Sequence, residues 1–333
     1  MKVLITGAAG FIGFNLIKEL EKKHKVYCLD NFSSFSKKTQ SLRNKILKRN
    51  SKINFKKIDL KNFNLLLNSY KNIKIDLVIH LAAQPGVRIS QKQPAITVDQ
   101  NIRNFVNILE FCKKKKIKNF FYASSSSVYG ETKSFDENAK LQNTTSIYGA
   151  SKLCDEILAS TYSYLYKINT LGLRFFTVYG PFGREDMAYY KFLEQISSSK
   201  KITIYGSTKS VRSFTYIDDV TKALSSLIDK FSKKRKYNEC LNIGNIKKDR
   251  LQDLIKIIEK KFSTDFKKII LKRNKSDMFR TAASTKKLDK LINFYPKVSL
   301  NEGMEIFINW YNKYILKISN KSIKWLFCIN LII

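Results

Sequence analysis

The chain has 333 residues, 44% of them hydrophobic, which is long enough for about two lobes around a sizeable core. Its net charge of +35 is extreme, but lysine far outnumbers arginine and is spread along the chain, so the charge reads as a solvated lysine-rich surface rather than a nucleic-acid site. The five cysteines include no CxxC pair, so neither a zinc site nor a disulfide framework is indicated, no metal is expected, and a reducing cytoplasm is suited.

Residues 2–6 (KVLIT) form a short apolar run ending in glycines, the pattern of a buried strand, so no secretory signal is expected before the fold. Helical spacing follows over 14–22. Strands are predicted at 25–29 (KVYCL), 54–58 and 77–81 (LVIHL), a helix over 101–112, and a strand at 119–123 (NFFYA). A long helix covers 148–166 and a strand 169–175 (NTLGLRF). Such alternation implies an α/β fold with a parallel sheet and helices on both faces. Beyond Thr177 the alternation breaks down. Residues 177–213 and 246–318 are assigned to a smaller α/β lobe, and 214–245 return to the main sheet, through 240–244 (CLNIG). Residues 319–333 form an apolar C-terminal extension. Its stretch 325–333 (WLFCINLII) is too short to cross a bilayer, which needs about 20 residues, so no membrane span is expected.

The first strand runs into Gly7-Ala8-Ala9-Gly10-Phe11-Ile12-Gly13, a GxxGxxG loop opening a helix. Gly7 permits the tight turn, Gly10 lets backbone approach a pyrophosphate, and Gly13 lets helix and strand pack closely. The helix start, with Phe11 and Ile12, offers free N–H groups to phosphate. The next strand ends at Asp30, followed by Asn31. A carboxylate there accepts from both adenosine ribose hydroxyls and repels a 2′-phosphate, so the expected cofactor is NAD. Residues 1–176 are therefore a Rossmann-type, doubly wound dinucleotide-binding domain.

Tyr148 and Lys152 make a YxxxK pair on one helix face. The ammonium can favour the phenolate over its neutral form, giving a base useful near neutrality. Residues 124–130 (SSSSVYG) follow the fifth predicted strand, and Ser125 can hold a reacting sugar hydroxyl.

The order of these landmarks resembles the extended short-chain dehydrogenase/reductases acting on nucleotide sugars, the NAD-dependent epimerase/dehydratase family. They run from TGAAGFIG through Asp30, Asp59-Leu60, HLAAQ at 80–84, SSSSVYG, YGASK and LRFFTVYGP at 173–181 to VRSFTYIDDV at 211–220. The resemblance covers the chain from Met1 to about Tyr314. It implies that Asp59 and Leu60 lie near the adenine, that Leu81, Ala82 and Ala83 line the cofactor, and that Asn101, Tyr148 and Lys152 hold its nicotinamide side. Dehydratases of this family carry Asp-Glu before Val-Tyr-Gly and decarboxylases usually Ser-Glu; here Ser126-Ser127 stand there, which leaves epimerisation.

Residues 179–188 (YGPFGREDMA) and 83–88 (AQPGVR) are most similar to UDP-glucuronate 4-epimerases. By that resemblance Arg184 meets the sugar carboxylate as a planar fork, with Thr177 and Ser127 assisting and Arg88 nearby. Arg212 and Arg280 take the diphosphate, although the stretch around Arg280 departs from the family motif. Relatives are commonly homodimers joined through two long helices, here 101–112 and 148–166. UDP-glucose or UDP-N-acetylglucosamine remain rival substrates, and a non-catalytic dinucleotide sensor or nucleic-acid binder a remote alternative.

Overall fold

The computed structural model describes residues 1–316 apart from 34–36, 133, 142, 200 and 235, so the extension expected at 319–333 lies outside the described residues. Seven strands form the central sheet: β1 (Lys2–Thr6), β2 (Lys25–Asp30), β3 (Asn54–Lys57), β4 (Leu77–His80), β5 (Asn119–Ser125), β6 (Asn169–Phe175) and β7 (Asn238–Ile243). Their order is β7-β6-β5-β4-β1-β2-β3, and every neighbouring pair is parallel. The chain reverses its winding between β1 and β4, which opens a crevice at the carboxyl ends of the strands.

The apolar runs become strands because both faces of the sheet are covered. Side chains alternate with a period of two. Val3, Ile5, Val26, Cys28, Ile79 and Phe121 enter one core layer, while Leu4, Tyr27, Leu29, Val78, Phe120 and Tyr122 enter the other. The register sets Ile5 between Cys28 and Ile79. Helix Phe11–Leu20 packs against helix Ile217–Phe231, whose Ile217, Val220, Leu224, Leu227 and Phe231 recur at helical spacing and are all buried.

Outside the sheet, Thr177–Tyr179 pairs with Phe214–Tyr216, Lys201–Tyr205 pairs with Lys267–Leu271, and Val211–Arg212 lies between Asp249–Arg250 and Arg280–Thr281. These segments share one continuous core with the sheet: Tyr189, Leu254 and Phe307 belong to the same buried cluster as Val3 and Ile5.

Two local departures from the sequence reading have clear causes. The helix predicted from 101 begins as a π-helical turn, Asp99–Arg103, before Asn104–Lys114 continues as α-helix. Helix Lys37–Arg49 is absent from the sequence reading. Its fully buried residues are Thr39, Gln40, Arg43 and Leu47, and Leu42 and Ile46 pack only partly buried on the core, so its inward face mixes polar and apolar groups.

Candidate active site

A cavity of about 810 Å³ occupies the crevice, and its lining reaches from Gly7, Gly10 and Asp30 to Tyr148, Lys152 and Arg184. At one end backbone geometry dominates. Gly7 has φ +68°, and a Cβ there would lie 2.6 Å from the Ala82 nitrogen. Gly10 N–H donates to the Gly7 carbonyl at 2.9 Å. A Cβ on Gly13 would collide with the same carbonyl. The loop thus leaves a cradle that side chains would fill, as a dinucleotide pyrophosphate requires.

Asp30 ends β2, with one carboxylate oxygen accepting from Ala9 N–H at 2.9 Å and the other from Phe32 N–H at 2.7 Å. Burial pushes this carboxyl up from its ordinary value, and these N–H groups with the Arg43 cation oppose the shift. Phe11, Ile12, Asn31, Leu60, Leu81, Ala82 and Ala83 also line the cavity.

Two residues expected at the cofactor, Asp59 and Asn101, are engaged with neighbouring groups and do not line the cavity. Asp59 accepts from Lys61 N–H at 2.9 Å and from the Asn31 amide at 3.0 Å, so it braces Asn31 rather than lining the cavity. Asn101 accepts from Gln84 N–H at 2.7 Å and donates to Ser151 Oγ at 2.9 Å. Fully buried, it ties the loop after β4 to the long helix, and it too is absent from the lining.

That helix, Ile147–Tyr166, starts at Ser146, whose side chain accepts from Gly149 N–H at 3.0 Å. Such a cap is worth about 1 kcal/mol and fixes where the first turn begins. Tyr148 lies in that turn, its own N–H held by Ser90 Oγ at 3.1 Å. Lys152 lies one turn on, nearly fully buried, and its Nζ donates to Asp155 Oδ2 at 3.0 Å.

Ser125 ends β5 and its Oγ accepts from Ser127 N–H at 3.1 Å, which shapes the turn Ser126–Tyr129. Beneath it, Glu156 binds Arg174 through both carboxylate oxygens, at 2.9 and 2.8 Å, and Arg174 reaches the Tyr129 hydroxyl at 2.9 Å. Ser124 Oγ also donates to Glu156. This buried network anchors both the serine turn and the helix that carries Tyr148.

The opposite end of the cavity is built from side chains that already have partners. Arg184 forms a two-pronged pair with Asp186, at 2.9 and 2.6 Å. Burial opposes the charge on Arg184, but the Asp186 carboxylate outweighs it and holds the proton more tightly than usual. Arg88 Nε reaches Asp277 at 3.2 Å, and its guanidinium lies 4.0 Å from the Tyr205 ring centre. Arg212 donates to the carbonyls of Val211, Met278 and Phe279 at 2.7–3.0 Å. Ser127, Thr177, Arg88, Arg184 and Arg212 all line the cavity. Arg280 does not: it is exposed on its short strand, and Arg273 faces the cavity instead.

The sequence reading also missed Arg43 and Asp155. Arg43 is buried, with Nε 2.6 Å from the Ala9 carbonyl and Nη1 on the Phe182 carbonyl, and burial brings its proton affinity down to about 10. It joins the glycine loop to the segment carrying Arg184. Nothing in the lysine-rich stretch 37–49 marks one cation as internal. Asp155 could have been flagged, since an acid three residues after Lys152 faces it on a helix.

The family model described as NAD dependent epimerase/dehydratase matches residues 3–244. A UDP-glucuronate 4-epimerase from Thermodesulfobacterium geofontis is 36% identical over 96% of this chain and 98% of its own length. The crystal structure of a Bacillus cereus UDP-glucuronic acid 4-epimerase with UDP-glucuronic acid and NAD superposes with TM-score 0.87 at 35% identity, covering 94% of this chain and 99% of that one. A Thermotoga maritima UDP-glucose 4-epimerase with UDP-glucose is 26% identical, with TM-score 0.81 over 94% of this chain and 99% of that one.

Proposed function

The chain belongs to the NAD dependent epimerase/dehydratase family, and from that premise we propose that it is a UDP-glucuronate 4-epimerase, interconverting UDP-glucuronate and UDP-galacturonate through a transient 4-keto sugar. One observation carries the reading. The cation Arg184 and the Tyr148 phenol line the same cavity, while Ser126 and Ser127 supply hydroxyls and no carboxylate beside them. A carboxylate-bearing sugar thus meets a fork for its anion and a base for its C4 hydroxyl, without the acid–base pair that elimination needs.

Gly7, Gly10, Gly13, Asp30, Leu81 and Lys152 would hold the dinucleotide, which when bound supplies a hydride acceptor and donor at C4. The protein's residues do the rest. Tyr148 takes the C4 hydroxyl proton and later gives it back. Lys152 stabilises the phenolate, and Ser125 orients the hydroxyl. Arg184, with Ser127 and Thr177, keeps the uronate anchored while the ring presents its other face. Arg212 and Arg273 face the diphosphate. We place the enzyme in the cytoplasm as a homodimer. The dimer is supported by exposed apolar residues on helix Ile147–Tyr166, namely Ile157, Tyr164 and Leu165, with Ile96 and Val98 nearby in sequence to the expected second helix. Among the described residues no helix is long and apolar enough to cross a membrane.

A second reading, a UDP-glucose 4-epimerase, is favoured by the Arg184–Asp186 pair, which already occupies two of the arginine's N–H groups. Purified protein incubated with UDP-glucuronate and, separately, UDP-glucose decides between them. UDP-galacturonate as the main product, formed faster than UDP-galactose, is expected. Release of carbon dioxide with UDP-xylose, or turnover of UDP-glucose alone, overturns the proposal.

A further inference from the structure

Lys152 has a partner that the proposed chemistry does not use. Asp155 lies one turn further along the same helix, and one carboxylate oxygen meets Lys152 Nζ at 3.0 Å. Both side chains are essentially sealed from solvent, at 1% and 0% exposure. The other oxygen, Oδ1, is buried and has no hydrogen-bond partner among the described residues.

Among the described residues, the surroundings contain no second charge free to play this part. Glu156 is committed to Arg174 and Ser124. From β4, His80 approaches with Nδ1 on Thr6 Oγ1 at 2.8 Å; burial and the Lys152 cation bring its proton affinity down to about 3, so it is neutral. From β5, the Tyr122 hydroxyl faces Cys240 Sγ at 3.6 Å, and burial keeps it protonated. On the helix itself, Cys154 is also held as the thiol by burial, and Tyr148 lies one turn back. Among the described residues, Lys152 and Asp155 are therefore each other's only close counter-charge.

A buried ion pair is costly to assemble, and breaking it by removing one partner is costlier. An ammonium meant only to steady a phenolate would not need an acid at its back. We propose that Asp155 is a positioning residue for Lys152: it keeps the buried ammonium charged and tempers the field that Lys152 exerts on Tyr148. The inference rests on the epimerase reading for its kinetic consequence only.

Burial raises the Asp155 carboxyl to about 7, and the Lys152 cation opposes the shift. Asp155→Asn keeps the shape and removes the charge. Lys152 then acts on the phenol unbalanced, so phenolate forms at lower pH, and the lysine, buried without a counter-ion, loses its proton at lower pH too. Both limbs of the kcat–pH profile should slide acidward by roughly half a unit to one unit. A residue that merely fills space would lower the rate or the melting temperature and leave the limbs where they are. Asp155→Glu should restore part of the wild-type profile.

The pair is also read without turnover. In Lys152→Met with carboxyl-¹³C aspartate, one aspartate should titrate at least about one unit higher than in the wild type, because its cation is gone. This arm needs neither an active enzyme nor a folded Asp155 variant, so it separates failure of this proposal from failure of the epimerase reading. An aspartate that titrates alike in both proteins, or limbs that stay fixed or move to higher pH in Asp155→Asn, overturns the proposal.

Discussion

The two ends of the cavity are made of different material. At the dinucleotide end the surface is backbone: Gly7 and Gly13 leave no room for a Cβ, and Asp30 is fixed by two N–H groups. At the sugar end it is side chain, and the expected anion-binding arginines that line it are already engaged, Arg184 by Asp186, Arg88 by Asp277, and Arg212 by three carbonyls. The first end is preformed for its ligand. The second holds its cations in place with internal partners, so a ligand there must compete for N–H groups or use those left over. Specificity should accordingly be easier to change at the sugar end than cofactor use at the other.

The largest effect is expected where the two ends meet. Tyr148→Phe should keep the fold and bound NAD but lose roughly 10²- to 10⁴-fold in kcat, the range for a lost general base. A Phe variant turning over near the wild-type rate would remove Tyr148 from the chemistry.

At the sugar end, Arg184→Ala should cut kcat/KM for UDP-glucuronate by about 30-fold or more, since losing one partner of a desolvated charge pair costs about 2–5 kcal/mol. UDP-glucose should be almost unaffected, and Arg184→Lys should recover only part, as a point charge cannot replace a fork. Equal losses on both sugars would mean that Arg184 serves Asp186 and the loop, not the uronate.

Beneath the dinucleotide end, His80 links sequence to stability. Its folded proton affinity of about 3 lies below the unfolded value of about 6.5. The neutral ring therefore stabilises the fold fully above pH 6.5, and this contribution is lost as pH falls from there toward 3. The full span is on the order of 4–5 kcal/mol. In denaturant titrations between pH 7.5 and 4.5, His80→Asn should show a flatter decline than the wild type; parallel curves would contradict this.

The smallest effect is expected at Arg88, which is more than a third exposed in its pair with Asp277. Arg88→Ala should raise KM by about fivefold or less and leave kcat nearly unchanged, because exposed pairs contribute about 0–1 kcal/mol. A collapse of kcat would instead make Arg88 part of the reacting centre.

The sequence was most readable where function depends on backbone or on fixed helical spacing. Gly7, Gly10 and Gly13 sit at a strand-to-helix turn, Asp30 ends a strand, and Tyr148 and Lys152 share a helix face. All six line the crevice. The bracing bonds of Asp59 to Asn31 and of Asn101 to Ser151 were not legible, because they join residues far apart in sequence. Arg43 was hidden because its helix buries polar groups, and periodicity reads only apolar faces. Arg273 and Arg280 lie on a segment whose pairing, Arg280 beside Val211, is set by tertiary contacts that local spacing does not encode.

The most direct test of the central claim is to run the UDP-glucuronate reaction in D₂O without added dinucleotide and follow the sugar by NMR. Epimerisation by reversible hydride transfer at C4 predicts UDP-galacturonate carrying protium at C4 and at C5, because the hydrogen never reaches solvent. Deuterium at either carbon, or no galacturonate at all, would contradict the account.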